Sequence, residues 1–126
     1  MSIDAEKWAS SLKIAVIGNK QIKGFVKGLQ KYVKTVERID AYEYGEKALF
    51  ERIRAVDYVY VCIDSVPHHV TNFLKSEIEL MEKTEFFYRP SIDDGVTRMN
   101  YLYWLQEGKR VEIKKNKKYV LDKKQM

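Results

Sequence analysis

Residues 57–69 read DYVYVCIDSVPHH. From Tyr58 to Ile63 the run is apolar, β-branched and aromatic without a break, bounded by Asp57 before it and by Asp64, Ser65 and Pro67 after it. That length and composition make it a β-strand. Pro67 suits the start of a helix, where its missing N–H leaves no bond unmade. From His68 to Lys83, Val70, Phe73, Leu74, Ile78 and Met81 return at helical spacing, which predicts one helix over that whole span.

The chain on either side repeats this strand-then-helix unit. Upstream, LKIAVIGN is a buried strand closed by Gly18-Asn19, followed by a helix face of Ile22, Phe25, Val26, Leu29 and Val33. KTVERID alternates as a strand, and YGEKALFERIRAV sets Leu49, Ile53 and Val56 on a helix stripe. Downstream, TEFFYRP is a strand stopped by Pro90. The next helix opens with the capping-box pair Ser91 and Asp94, and Gly108 reads as its C-terminal stop. The order βαβαβαβα, with short connections, implies a parallel sheet with helices on both faces. Right-handed crossovers make this one small, doubly wound, Rossmann-like α/β domain over residues 1–108, its first twelve residues a short helix or an arm with Trp8 tucked inward. Residues 109–126, with alternation around Lys115-Asn116-Lys117, read as a basic β-strand or hairpin attached to it.

Composition narrows the class. A chain of 126 residues can bury a core without disulfides, and the single cysteine, Cys62, lies in an apolar run, so a reducing, cytoplasmic setting is expected. No apolar run approaches the ~20 residues of a membrane span, and the acid-bearing start MSIDAEKWASSLK is no signal peptide. The net charge of +5 is uneven. Residues 109–126 hold eight basic and two acidic groups, while the other 108 hold fifteen and sixteen. A near-neutral body argues against a domain-wide nucleic-acid surface.

Ligands of open parallel sheets lie beyond the carboxyl ends of the strands. Four segments converge there: Gly18-Asn19-Lys20-Gln21, Asp40-Ala41-Tyr42, Asp64 through His68, and Arg89-Pro90-Ser91. The expected ligand-binding set is Gly18, Asn19, Lys20, Asp40, Asp64, Ser65, His68, Arg89 and Ser91. Gly18 and Asp40 take two places of a dinucleotide fingerprint, but Lys20 and Lys23 stand where its other glycines belong, so a plain strand-to-helix turn is the better reading. Lys20 and Lys23 at a helix start would still favour an anion. Walker, G-x-S-x-G and receiver-type acidic signatures are missing, and no cofactor or metal is expected. His68 and His69 point about 100° apart on a helix and cannot easily share a metal. His68 beside Asp64 remains a candidate general base. Against it stands the structural reading, in which Asp64 and Ser65 cap the following helix and His68 bonds a neighbouring loop.

The same residues carry a resemblance. A small bacterial domain-of-unknown-function family with a Rossmann-like fold has the pattern D-x-V-x-V…D-x-V-S-H, then a strand ending near Arg-Ser-Ser-Gly. This chain is similar to it through Asp57, Val59, Val61, Asp64, Val66 and His68, and through Arg89 and Ser91. The departures are Pro67 for serine, His69 where an acid is common, and Ile92-Asp93-Asp94 before a displaced Gly95. The resemblance spans roughly Leu12 to Leu105. It implies the fold, marks Asp64, His68, Arg89 and Ser91 as a set, and implies no reaction.

Two surfaces remain. In MNYLYWLQ, Met99 and Leu102 fall on one side and Tyr101 and Trp104 on another, where they would anchor a partner if exposed. Lys114, Lys115, Lys117 and Lys118 would contact phosphates as a wing does, or guard an edge strand against aggregation. The expectation is therefore a non-catalytic α/β binding or regulatory module that engages a protein partner or a copy of itself, with a small anionic ligand at the strand edge. The alternatives are a small nucleotide-binding domain or enzyme using Asp64, His68 and Arg89, and a nucleic-acid binder acting through the tail.

Overall fold

The computed structural model describes the backbone of residues 1–125 and the side chains of residues 1–19 and 21–108. The elements run α1 (Ile3–Ala9), β1 (Lys13–Ile17), a 3-10 turn (Lys20–Ile22), α2 (Lys23–Leu29), β2 (Thr35–Ile39) and α3 (Glu46–Ile53). Then follow β3 (Tyr58–Cys62), a second 3-10 turn (Ile63–Ser65), α4 (His68–Ser76), α5 (Ile78–Lys83), β4 (Thr84–Phe87) and α6 (Ile92–Gln125). The four strands form one parallel sheet in the order β2-β1-β3-β4. Ile17 lies level with Ile39 on one side and Val61 on the other, and Cys62 with Phe87. The fold is the expected doubly wound α/β domain.

Strand alternation divides the core between two faces. Ile14, Val16, Tyr58, Tyr60, Cys62 and Phe87 pack with α1, α2 and α6. Ala15, Ile17, Ile39, Val59, Val61 and Phe86 pack with α3, α4 and α5. All five residues of β3 are buried, so the opening stretch is the spine of both layers. Trp8 lies edge-on to Tyr58, with ring centroids 5.9 Å apart, which places the N-terminal helix against the body. No helix of the described residues is long and apolar enough to cross a membrane.

Two glycines set the distance between α2 and α6. A Cβ at Gly28 would come 2.6 Å from Ile92 Cδ1, and one at Gly95 would come 2.9 Å from Phe25 Cε2. On the other face Lys83 closes the end of α3. Its Nζ donates to the carbonyls of Ile53, Arg54 and Val56 at 2.7, 2.9 and 3.0 Å. Ile53 ends α3 and Arg54 caps it, so two of these carbonyls lie where a helix runs out of intrahelical donors, while Val56 O lies in the turn that follows.

Three expectations are corrected. The helix predicted over 68–83 is two helices, parted at an extended Glu77 (φ −99°, ψ 111°). A straight helix of that length would run ~24 Å, against ~17 Å for a five-residue strand, and would overshoot the start of β4. Ser76 Oγ donates to Phe73 O at the break. The break turns Leu80 into the core and leaves Ile78 and Met81 exposed. Secondly, Asp64 and Ser65 do not cap α4. They lie in the 3-10 turn, and the cap position is Pro67, which offers no side-chain bond. Thirdly, the segment after Gly108 is not a β-strand or hairpin but the continuation of α6 to Gln125. Gly108 is interior to that helix, at a cost of about 1 kcal/mol relative to alanine. The Lys, Arg, Glu and Leu around it are strong helix formers, and they outweigh both the glycine and the short alternation at Val111 and Ile113.

Candidate functional site

The order β2-β1-β3-β4 reverses direction between β1 and β3. The chain leaves β1 toward the α2 face and leaves β3 toward the α4 face. A crevice at that switch point is the ligand position of doubly wound folds. Here it is an open cleft of about 460 Å³, lined by Gln21, Ile22, Phe25, Asp64, Ser65, Arg89 and Pro90.

Asp64 and Arg89 are its charged pair. Arg89 Nε donates to Asp64 Oδ2 at 3.1 Å, across the ends of neighbouring strands β3 and β4. The Asp64 side chain is 20% exposed and that of Arg89 is 73% exposed. The carboxylate is thus set into the wall while the guanidinium stands in solvent, also lying over the Tyr88 ring at 5.3 Å. Its Nη atoms make no hydrogen bond among the described residues. Arg89 has φ 47°, the one positive φ of a non-glycine among the described residues. That conformation costs roughly 1–3 kcal/mol and survives where surrounding structure enforces it. Here the enforcing features are the end of β4, Pro90 and the bond to Asp64.

A second open cleft, about 590 Å³, lies on the α4 side of the same loop. Ile63, Asp64, Val66, His68, Thr71, Lys75, Phe86 and Tyr88 line it. His68 is exposed in the first turn of α4 and makes no hydrogen bond to Asp64, whose carboxylate is turned to Arg89. The two residues share a cleft wall without forming a dyad, and among the described residues no hydrogen bond joins His68 to a neighbouring loop. His69 is exposed beside it.

The other sequence candidates are held in local structure. Gly18 donates its N–H to Ile39 O at 3.0 Å. A Cβ there would meet Ile22 Cδ1 at 2.7 Å, so a side chain at this point would force Ile22 to shift. Asn19 Oδ1 accepts from Gln21 N and starts the 3-10 turn. Asp40 Oδ1 accepts from Tyr42 N, at the end of edge strand β2 and two strands from Asp64. Ser91 and Asp94 form the reciprocal cap of α6. Its hydrogen bonds hold the Asp94 carboxyl below its ordinary value. The Lys20 side chain lies outside the described residues. Helix α2, at whose start Lys20 and Lys23 were expected to favour an anion, has seven residues and no side-chain cap.

The structure therefore brings Asp64, Ser65 and Arg89 together, adds Gln21, Ile22, Phe25 and Pro90, and leaves Gly18, Asn19, Asp40 and Ser91 outside the cleft. Ile22 and Phe25 read in sequence as core positions of a helix face. Their position after the first strand, at the switch point, was the one signal that they also border a ligand edge. Cys62 is buried beneath, its thiol pushed up to about 12 by burial and then by the charge of Asp64. Among the described residues no group of three or more His, Cys, Asp or Glu could hold a metal ion.

Tyr101 and Trp104 are exposed on α6, whereas Met99 and Leu102 are buried. The side chains of Lys114, Lys115, Lys117 and Lys118 lie outside the described residues. Comparison with family models, with curated proteins and with solved structures finds no match to this chain.

Proposed function

We propose that the chain is a non-catalytic binding module that takes a small anionic ligand in the switch-point cleft, with Arg89 as the anchoring cation. One observation carries this reading. An exposed guanidinium, tethered through Nε alone, borders an open cleft at the edge where such sheets bind ligands. A guanidinium held by Nε keeps its Nη donors for a second acceptor, and its planar fork suits carboxylate and phosphate oxygens. The Ser65 hydroxyl and the Gln21 amide line the same space and can add neutral hydrogen bonds. Ile22, Phe25 and Pro90 supply an apolar wall for the rest of the ligand. Binding fits better than proton transfer, because the Asp64 carboxylate orients Arg89 and not His68.

The test is thermal unfolding of the full chain against a panel of inorganic phosphate, nucleotides, phosphorylated sugars and small carboxylates. A ligand present at a hundred times its dissociation constant raises stability by about 2.7 kcal/mol. At least one panel member should therefore raise the midpoint by several degrees. Arg89→Ala should remove that shift, and His68→Ala should leave it. No shift from any member at millimolar concentration, or a shift that survives Arg89→Ala, refutes the proposal.

A further inference from the structure

Helix α6 presents an apolar face that its own body does not cover. Gly95, Met99 and Leu102 are buried toward α2 and α1, and Gln106 Nε2 donates to Tyr58 Oη at 3.1 Å. The opposite side carries Tyr101, Trp104 and Leu105, which are 57%, 58% and 40% exposed. Tyr101 also walls an open groove of about 630 Å³ along the free edge of β4, shared with Phe86, Tyr88, Pro90, Thr97 and Arg98. Arg98 is committed there, donating to Glu85 at 2.6 Å and stacked on Phe87 at 4.8 Å. Aromatic side chains bury ~150–250 Å² each. Three of them more than half exposed, with Leu105, make a patch of roughly 400 Å², a size that marks interaction surfaces.

We infer that this face binds α6 of a second copy of the chain, antiparallel and centred near Trp104. Charge along the helix selects both occupant and direction. Its first turn holds Asp93 and Asp94. Its second half is basic by sequence, with Lys109, Arg110, Lys114, Lys115, Lys117 and Lys118. One helix thus carries both halves of a complementary pair. An antiparallel register centred at position 104 sets 94 level with 114 and 93 level with 115. A parallel pair would instead set acid on acid and lysine on lysine, which is destabilising. The antiparallel register also keeps the two bodies apart, since each is attached to the first half of its own helix. The second half of each helix then lies along the first half of the other. In that register residues 92–116 of the two helices overlap over about 37 Å, and at ~10 Å width the helix footprint approaches ~370 Å² per copy before the groove wall is added. A stable interface needs about 800 Å² per partner, which Tyr88, Pro90 and the β4 edge bring within reach. The inference does not depend on the anion cleft.

Sedimentation equilibrium of the full chain tests it, with circular dichroism to confirm that each variant is folded. A dimer is expected at micromolar concentration, weakening as salt screens the charges. Trp104→Asp lies on the surface and should raise the dissociation constant about 30-fold or more. Asp93→Lys alone should weaken the dimer, and Asp93→Lys with Lys115→Asp in one chain should restore it, because the antiparallel register pairs those positions. A chain that stays monomeric to high micromolar concentration overturns the inference, as does a dimer indifferent to Trp104→Asp. A double reversal that fails to restore affinity overturns the antiparallel register.

Discussion

Gly24 and Gly28 lie four residues apart in α2, and alanine should act on them in different directions. In a helix alanine is favoured over glycine by about 0.5–1 kcal/mol. At Gly24 an added Cβ has nothing within 4 Å. Gly24→Ala should therefore gain that preference, about 0.5–1 kcal/mol of stability. At Gly28 the same Cβ would lie 2.6 Å from Ile92 Cδ1, 2.8 Å from Cγ1 and 3.2 Å from Cβ. Rotation of Ile92 can move the first two atoms, but its Cβ is fixed to the backbone of α6, so the helix itself must shift. Overpacking of this kind costs about 1–3 kcal/mol. After the gain in propensity, Gly28→Ala should be destabilising by roughly 0–2.5 kcal/mol. The two variants should thus differ by about 1–3 kcal/mol, or several degrees in thermal midpoint at about 3–5 °C per kcal/mol for a domain of this size. Urea unfolding of both, repeated in an Ile92→Ala background, isolates the contact as a double-mutant cycle. The gap should close when Ile92 is shortened. If Gly28→Ala stabilises as much as Gly24→Ala, or the gap persists without Ile92, the tight approach of α2 and α6 is wrong.

Lys83→Met should cost about 1.5–3 kcal/mol, because a charged donor to three carbonyls at the end of α3 is lost. Chemical denaturation measures this, and a neutral result would mean that water replaces the ammonium without loss. Arg89→Gly should leave stability within about 1 kcal/mol of the parent or raise it, since glycine relieves the left-handed backbone while only an exposed ion pair is lost. The same variant should lose any anion-induced thermal shift, and a large drop in its unliganded midpoint would contradict the assignment of strain. Asp94 has a depressed folded pKa, so its stabilisation is complete above the unfolded value of about 3.9 and fades as pH falls through the lower folded value. Asp94→Asn should accordingly flatten the acid limb of a stability-against-pH profile, and an unchanged limb would remove the cap from the account.

Much of the fold is legible in the sequence because local periodicity and layer architecture agree. The apolar run Tyr58–Ile63 and the stripes Ile22–Val33 and Leu49–Val56 each mark one kind of element, although α2 ends at Leu29 and α3 at Ile53, so that Val33 and Val56 fall in the turns beyond. Their alternation leaves few arrangements other than a parallel sheet with two helical faces. The errors share a different origin. Both the 68–83 helix and the β reading of 109–126 extrapolate a local pattern past a point where length or neighbours decide. Glu77 breaks the first because the crossover must fit the sheet. The second fails because helix propensity carries through Gly108.

For the site, sequence reasoning placed Asp64, His68 and Arg89 at one sheet edge, and the structure joins Asp64 to Arg89, since both follow neighbouring parallel strands. It could not separate residues facing the cleft from residues closing their own turns. Asn19, Asp40 and Ser91 have side chains that bond backbone two or three residues on, and such bonds are as available to these residue types as a ligand contact is. The sequence by itself determined the alternation of strands and helices up to Gly108, the two buried faces and the basic charge of residues 109–126, all of which follow from residue spacing and charge along one dimension. Only the tertiary structure decided that Asp64 turns to Arg89 and away from His68, that Lys83 closes α3, and that Gly28 and Gly95 bring α2 and α6 together. Those contacts join residues 25 to 70 positions apart, and no local preference encodes a distance that only the packed sheet and helices create.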